Sequence, residues 1–354
     1  MRIGIAGAGV MGQLLAWEFA RAGCQVDLFD HGASRNCSQA AAGMLSPISE
    51  LEKCDKVIYD LGLDGLQGEW SRVLSTLPQS VEMKREGSLV VSHRNDRNDL
   101  LHFIQTVSHK IDSTQSIRRI TSDDLSLLEP DINHFPEAYF LEDEGQIDNQ
   151  SLMLVLEKAL QEHENVTRYD ASVIDMTRHT IKVGEQQHHY DLVCDCRGLG
   201  AKNKMTDLRG VRGELIWLHA PDVNLQRPVR FMHPRYRLYV VPRANNIYLV
   251  GASEIETSDT SDISVRTMLE LLTAAYCLQP KFAEARIIKS VTQVRPTFTH
   301  HLPKICYADG YLSVNGLYRH GFLIAPALIA DVMRWMNDGV HRVKYPSLWS
   351  RLEE

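Results

Sequence analysis

The hydrophobic pattern at the amino terminus predicts a strand, a helix and a second strand. Residues Arg2 to Ala6 form a short apolar run, which is typical of a buried strand. Apolar side chains then repeat at helical spacing as far as Ala22-Gly23, namely Leu14, Leu15, Ala16, Phe19 and Ala20. A second apolar run, Gln25 to Asp30, predicts the next strand. This order of elements favours a parallel βαβ unit.

Helical and strand patterns of hydrophobic residues both recur through the middle of the chain. Asp148 is the expected N-cap of a helix that ends near His163, with an apolar face formed by Leu152, Val155, Leu156, Ala159 and Leu160. Alternating positions predict strands over residues 166–176, 180–183 and 190–196. Longer strands are predicted over residues 213–219, 236–241 and 246–252, which is typical of an antiparallel sheet.

The carboxyl-terminal part predicts a helix over residues 264–278, a helix end and strand over residues 282–294, and a strand over residues 311–315. A last helix carries an apolar face and ends at Gly339. Since proline lacks a backbone N–H, we expect Pro326 to fall in the first turn of this helix.

These elements predict an α/β plus α+β fold with two domains. We expect a Rossmann-like dinucleotide-binding domain over residues 1–83, 146–207 and 290–354. We expect an inserted antiparallel-sheet substrate domain over residues 84–145 and 208–289.

The glycine-rich turn between the first strand and helix indicates dinucleotide binding. Gly7 permits a tight turn, Gly9 lets a pyrophosphate approach the backbone, and Gly12 lets the helix pack close to the strand. Asp30 follows Gly12 at the distance expected for a carboxylate that binds a ribose hydroxyl. The motif does not distinguish NAD from FAD.

Composition narrows the class of partner. The chain has 354 residues with 38 Lys plus Arg against 45 Asp plus Glu, a net charge of −7 that does not favour nucleic acid or an anionic membrane. There is no apolar run long enough for a membrane span.

The 7 cysteines form no CxxC pair, so we predict a reducing, cytoplasmic setting. The adjacent pairs His188-His189 and His300-His301 would point to opposite faces of a strand, so no metal site is predicted.

Eight motifs in this order resemble the D-amino-acid oxidase family of flavoproteins, and within it the branch of glycine oxidases. They are GAGVMG at 7–12, LFD at 28–30, AAAGML at 40–45, EDEGQID at 142–148, VRGE at 211–214, YVVPR at 239–243, RPT at 295–297 and NGLYRHGFLIAPA at 315–327. The resemblance covers essentially the whole chain, and it implies non-covalent FAD with the flavin ring at the junction of the two domains.

The resemblance also implies cofactor-binding residues beyond Gly7, Gly9 and Gly12. Those expected along the adenine half are Val10, Met11, Asp30, His31 and Val173. Those expected along the pyrophosphate and flavin ring are Ser38, Ala42, Gly43 and Met44. Those expected around the pyrimidine side of the flavin are Gly316, Tyr318, Arg319, His320, Gly321, Phe322 and Leu323.

An amino acid substrate needs a fixed cation for its carboxylate, and arginine suits this because its planar fork binds two oxygens. Arg295 matches the carboxylate-binding arginine of the family, and Tyr239 matches the tyrosine that shares the carboxylate. Arg237 is expected on the same strand face as Tyr239. Arg319 matches a second arginine near the pocket mouth.

Two segments depart from the family pattern. Cys196-Arg197-Gly198 replaces a small-residue turn and puts a charged side chain near the adenine region. Phe298 to His301 replaces a short glycine turn, so we expect a different pocket wall there.

The implied reaction is oxidation of glycine or a small amine such as N-methylglycine to the imine, with O2 reduced to hydrogen peroxide, in the service of thiamine thiazole synthesis. A D-amino acid or secondary-amine dehydrogenase of the same family, an NAD-dependent dehydrogenase and a non-enzymatic flavin-binding assembly protein are the alternatives. Self-association is left open by the sequence.

Overall fold

The computed structural model describes residues 1–32, 36–111, 115–173, 175–233 and 237–352. The side chain of Arg237, expected beside Tyr239, lies outside what is described. The strands, in chain order, are β1 (Arg2–Ala6), β2 (Gln25–Asp30), β3 (Met44–Leu45), β4 (Met83–Lys84), β5 (Ser88–Ser92), β6 (Ile117–Thr121), β7 (Glu137–Leu141), β8 (Gly145–Ile147), β9 (Val166–Asp170), β10 (Asp175–Thr177), β11 (Thr180–Val183), β12 (Gln186–His189), β13 (Leu192–Asp195), β14 (Arg209–His219), β15 (Val229–Met232), β16 (Arg237–Arg243), β17 (Ile247–Gly251), β18 (Arg286–Thr297), β19 (Lys304–Ala308), β20 (Tyr311–Asn315) and β21 (Trp349–Arg351).

The α-helices are fewer and are separated by the strands. In chain order they are α1 (Val10–Arg21), α2 (Cys37–Ala40), α3 (Pro47–Glu50), α4 (Lys56–Asp64), α5 (Trp70–Leu74), α6 (Arg97–Ser108), α7 (Ser122–Leu128), α8 (Asn149–Glu162), α9 (Val265–Leu278) and α10 (Gly321–Asp338). Among the described residues, no helix is both long enough and apolar enough to cross a bilayer.

A seven-stranded sheet in the order β21-β19-β20-β13-β1-β2-β9 forms the first layer of the molecule. The strands from β20 to β9 run parallel, whereas β19 is antiparallel to β20. Ile3 and Ile5 point to the face covered by α1, α8 and α10, while Ala6 points to the face covered by the small sheet β10-β11-β12. The inner strands β1, β2, β13 and β20 are buried on both sides, as parallel strands are in α/β proteins.

An eight-stranded sheet in the order β18-β14-β17-β16-β15-β5-β7-β6 forms the second layer. Most of its pairs are antiparallel, and β5 pairs with β15 in parallel. Its core contains residues of α9 on one side and residues of α6 on the other. This confirms the predicted combination of a Rossmann-like sheet with an antiparallel sheet. The predicted domain boundaries stay a prediction, and β18 continues through residue 290.

Three local predictions need correction. Residues 166–176 form two strands, β9 and β10, rather than one. The strand predicted over residues 190–196 is shorter, because β13 covers Leu192–Asp195. Pro326 is the sixth residue of α10, in its second turn, so the first-turn prediction was wrong. The carbonyl that Pro326 leaves without a helical donor belongs to Phe322, and it accepts a 2.9 Å hydrogen bond from Trp70 Nε1 instead.

Candidate active site

The glycine turn after β1 has one glycine that the fold does not need. Gly7 has a φ of +97°, and a Cβ at Gly12 would lie 1.8 Å from the Gly7 carbonyl oxygen, so both positions require glycine. A Cβ at Gly9 would meet nothing closer than Ser38 Oγ at 3.4 Å, which is an ordinary contact. The open space at Gly9 is therefore available to a ligand.

A cavity of about 370 Å³ begins at this turn. It brings together most of the predicted cofactor residues, namely Gly7, Gly9, Val10, Met11, Asp30, His31, Ser38, Ala42, Tyr318, Arg319, Gly321 and Phe322. The positive end of α1 faces this cavity, because its N-cap Gly9 and its first residue Val10 both line it. The first turn of α1 carries no acidic residue that would repel an anionic ligand. Val10 N donates a 2.9 Å hydrogen bond to Ser38 Oγ, which places Ser38 at the start of the helix.

Asp30 is held at the end of β2 by a hydrogen bond from Ala8 N to its Oδ1, 3.3 Å long.

Three predicted cofactor residues line neither this cavity nor the smaller one described below. Gly12 packs beneath Gly7, and Gly316, with a φ of +76°, lies against the ring of Phe298. Val173 contributes its carbonyl oxygen to a contact with Arg197 Nη1 at 3.5 Å. A role of these three in ligand binding stays a prediction.

A smaller cavity of about 130 Å³ adjoins the larger one. The two share the three residues predicted for the substrate, Tyr239, Arg295 and Arg319. The smaller cavity also contains the remaining predicted residues Gly43, Met44, His320 and Leu323. Its size limits any ligand to a small molecule.

The three arginines of the smaller cavity differ in how their charges are compensated. Arg230 is ion-paired with Glu52, and Arg319 with Glu50 at 2.7 Å and with Glu254 at 3.5 Å. Arg295 Nη1 donates to the Ser253 carbonyl at 3.2 Å, and no carboxylate of the described residues lies within ion-pair distance of it. Arg295 is therefore the cation with an open place for an anionic ligand.

Two carboxylates that sequence reasoning missed line the smaller cavity, Glu50 and Glu254. Burial alone would raise the pKa of each carboxyl. For Glu50, the opposing charge of Arg319, which also donates a hydrogen bond to the carboxylate, brings the pKa below its usual value. For Glu254, the Tyr318 hydroxyl, Arg319 and Lys53 lower the pKa to about 2. Both groups are therefore anionic and already neutralised by neighbours.

His320 is 1% exposed and lies between Glu50 and Cys54. Its Nε2 is 3.3 Å from Cys54 Sγ, and its Nδ1 is 3.2 Å from Glu50 Oε2, although without hydrogen-bond alignment. Burial lowers the pKa of His320 to about 4 and raises the pKa of Cys54 to about 12. The spacing of the three groups is like that of metal ligands. However, the same Glu50 oxygen accepts from Arg319, whose charge would repel a metal cation.

Tyr239 stays a neutral phenol, because burial raises its pKa while Arg295 only partly opposes this. Its hydroxyl packs close to Gly251, where a Cβ would lie 3.1 Å from the oxygen. Tyr239 can therefore donate a hydrogen bond to a ligand beside Arg295.

Arg243 is a further residue that the motifs did not single out for this site. Its Nη2 donates to the carbonyls of Ala42 and Ile147, and its Nη1 donates to Gln146 Oε1 at 2.5 Å. Since Ala42 lines both cavities, Arg243 positions the backbone between them. Only the short YVVPR motif could have drawn attention to it.

The segment Phe298 to His301 forms a wall beside the turn that precedes α10. The His301 ring stacks on the Tyr318 ring with a centroid distance of 4.6 Å, and Phe298 packs against Gly316. Residues 298–301 line neither cavity of the site, so the expectation of a different pocket wall stays a prediction.

The family of this chain follows from its sequence as a whole. The model of the DAO family, FAD dependent oxidoreductases, matches residues 2–333, and the chain belongs to this family. It is therefore an FAD-dependent oxidoreductase, and the NAD-dependent alternative does not hold.

Individual relatives share most of its length. The Rhizobium etli protein named thiamine biosynthesis oxidoreductase ThiO is 36% identical over 337 residues, covering 94% of this chain and 96% of the relative. The crystal structure of glycine oxidase from Geobacillus kaustophilus has a TM-score of 0.82 at 21% identity and covers 100% of both chains. That of iminodiacetate oxidase from Chelativorans sp. BNC1 has a TM-score of 0.83 at 20% identity and covers 99% of both chains. The two structures confirm the fold.

Proposed function

We propose that this chain oxidises glycine or a small amine such as N-methylglycine. For glycine the overall reaction consumes O2 and water and releases glyoxylate, ammonia and hydrogen peroxide. We further propose that the imine formed first serves thiamine thiazole synthesis, since the Rhizobium etli relative is named for thiamine biosynthesis. The 7 free cysteines suit the cytoplasmic setting expected from the sequence.

The larger cavity is the proposed place of FAD, and we call it the cofactor cavity. Its residues fit an extended dinucleotide, because Gly9 leaves the backbone open and the positive end of α1, whose first turn carries no acidic residue, would face a phosphate bound there. Asp30 lies at the end of β2, where a ribose hydroxyl would bind. FAD, when bound, accepts the two electrons taken from the substrate.

The smaller cavity is the proposed place of the amine, and we call it the substrate cavity. A substrate carboxylate would bind Arg295 through two oxygens and accept a hydrogen bond from Tyr239. Because both residues also line the cofactor cavity, a small amino acid held there lies beside the cofactor. The observation that carries this assignment is the absence of a carboxylate partner for Arg295 within the described ranges, whereas Arg230 and Arg319 have theirs.

The titratable carboxyl and imidazole groups described in the substrate cavity are weak bases. Cationic neighbours lower the pKa values of Glu50 and Glu254, and burial lowers the pKa of His320 to about 4. We therefore infer that the substrate amine enters neutral, so that the protein supplies orientation and charge rather than a general base.

An anaerobic spectrum of the purified holoenzyme tests the proposal. Glycine and N-methylglycine should bleach the yellow absorbance, and admission of air should restore it with release of hydrogen peroxide. Bleaching without peroxide in air would make the protein a dehydrogenase with another electron acceptor. Fast bleaching by D-phenylalanine with glycine inert would reassign the substrate to larger D-amino acids.

A further inference from the structure

Arg197 lies at the position where the sequence departs from the small residues of the family. It follows β13, and its guanidinium forms a two-pronged ion pair with Asp195, with Nε–Oδ1 at 2.9 Å and Nη2–Oδ2 at 2.6 Å. The Asp195 side chain is fully buried, and that of Arg197 is 10% exposed. The fork therefore fixes the plane of the guanidinium.

The rest of the side chain is also held in place. Arg197 Nη1 is 3.5 Å from the carbonyl oxygen of Val173, which follows β9, the neighbour of β2 in the sheet. The aliphatic stem packs against Gly200, where a Cβ would lie 3.1 Å from Arg197 Cβ. The guanidinium thus reaches from the end of β13 towards the side of the sheet where β2 ends at Asp30.

Arg197 also lines the cofactor cavity, together with Asp30 and His31. All three guanidinium nitrogens have a protein acceptor, and Asp195 neutralises the positive charge. A phosphate would therefore gain little at this residue. The flat face of the guanidinium remains, and such faces stack on aromatic rings.

We propose that Arg197 stacks on the adenine ring of FAD, with Asp195 as the residue that fixes the orientation of its plane. The inference concerns the cofactor alone and does not depend on which amine is oxidised. It rests on the placement of FAD in the cofactor cavity. It also gives a reason for a buried carboxylate next to a cofactor that carries negative phosphates: Asp195 acts on the guanidinium and not on the ligand.

Exchange of the bound flavin measures this contact directly, because FMN has the flavin and one phosphate of FAD but lacks the adenosine. Holoenzyme is incubated with excess FMN, and the fraction of each bound flavin gives the ratio of the two affinities. Arg197→Met should shift this ratio towards FMN by roughly three- to thirtyfold. A merely structural loss would weaken both flavins and leave the ratio unchanged, which would overturn the proposal.

Two further variants separate stacking from charge and from stability. Arg197→Lys keeps the charge without the plane, so it should shift the ratio as Arg197→Met does; a wild-type ratio would show a charge contact instead and overturn the proposal. Since Arg197→Met strands the buried Asp195, the double variant Asp195→Asn/Arg197→Met removes both charges and should give the same shift. If FMN fails to displace FAD in every variant, the rate of FAD release on dilution replaces the ratio, and an unchanged rate in Arg197→Met refutes the contact.

Two control substitutions complete the experiment. Arg168 lies on β9, forms a half-buried ion pair with Glu157 of α8 and does not line the cofactor cavity. Arg168→Met should therefore leave the ratio of bound FMN to bound FAD unchanged. Gly9→Ala tests the placement of FAD separately, because it narrows the cofactor cavity at its phosphate end. Normal FAD content in Gly9→Ala would disprove that placement, whereas normal exchange in Arg197→Met with FAD-poor Gly9→Ala would disprove only the stacking.

Discussion

Replacing Arg295 with alanine should abolish most of the activity while FAD stays bound. The guanidinium lies on β18 and lines both cavities, and its Nη1 donates a 3.2 Å hydrogen bond to the carbonyl of Ser253. Truncating one partner of a buried, hydrogen-bonded ion pair costs about 3–5 kcal/mol. At about 1.36 kcal/mol per decade, kcat/KM for glycine should fall on the order of a hundred- to several-thousandfold. Arg295 is only partly buried, which favours the lower end of this range.

The assay is peroxide release at varied glycine, with the flavin content of each variant measured from its yellow absorbance. Arg295→Lys should recover part of the activity, because an ammonium supplies charge without the two-pronged geometry. Tyr239→Phe should cost on the order of tenfold, since it deletes one hydrogen bond to a charged group. Arg286→Ala is the matched control: the residue lies on the same strand but is exposed, so activity should not change.

The competing assignment of the substrate carboxylate is to Arg319. Its removal alone would leave the partly buried Glu50 without its nearest cation, so the comparison requires the double variant Arg319→Met/Glu50→Gln. Near-normal kcat/KM in Arg295→Ala together with loss of glycine binding in the double variant would refute the reasoning and move the carboxylate site to Arg319.

Three further predictions concern the cofactor and stability. Gly9→Ala should fold but purify without yellow colour, because only Ser38 Oγ approaches the new Cβ, whereas Gly12→Ala should fail to fold; full flavin content in Gly9→Ala would contradict this. The pKa of His320 is lowered to about 4 in the folded chain, so the unfolded chain binds the extra proton between pH 6.5 and 4 and stability falls as pH falls through this window. In urea unfolding, the free energy of unfolding of the wild type should fall by about 3 kcal/mol more than that of His320→Gln over this pH window. Equal pH dependence of the two proteins would exclude this contribution of His320. Trp70→Phe should lower the free energy of unfolding by about 1–3 kcal/mol, because the Phe322 carbonyl loses its donor, and an unchanged urea midpoint would show that water replaces the indole.

Local signals in the sequence predict several elements closely. The strand over residues 311–315 matches β20 at both ends, and the helix over residues 264–278 differs from α9 only by its N-cap, Ser264. Asp148 caps α8 as expected, with its carboxylate accepting from Ser151 N at 3.1 Å. In each case the residues that determine where the element begins or ends are close to that end in the sequence. The local sequence pattern is therefore enough to predict its bounds.

Contacts between distant residues account for what the sequence could not predict. Pro326 is tolerated in the second turn of α10 because of an indole that lies 252 positions earlier in the chain. Glu254 binds Arg319 across 65 positions, and no local pattern marks it as a neighbour of the site. Such partners depend on how β17 and the turn before α10 meet, which hydrophobic period alone does not determine.

The arginines of the substrate cavity show where motif and structure contribute different information. Motif resemblance places both Arg295 and Arg319 near the substrate, since both lie in matching segments, and it assigns the substrate carboxylate to Arg295. Their chemistry differs in the folded chain: Arg319 is neutralised by two carboxylates, whereas Arg295 meets a carbonyl. A guanidinium that already binds carboxylates gains little from a further anion, while one without an anionic partner is stabilised by it. Compensation of charge, which only the tertiary contacts reveal, therefore favours Arg295 for the substrate and leaves Arg319 to position Glu50 and Glu254.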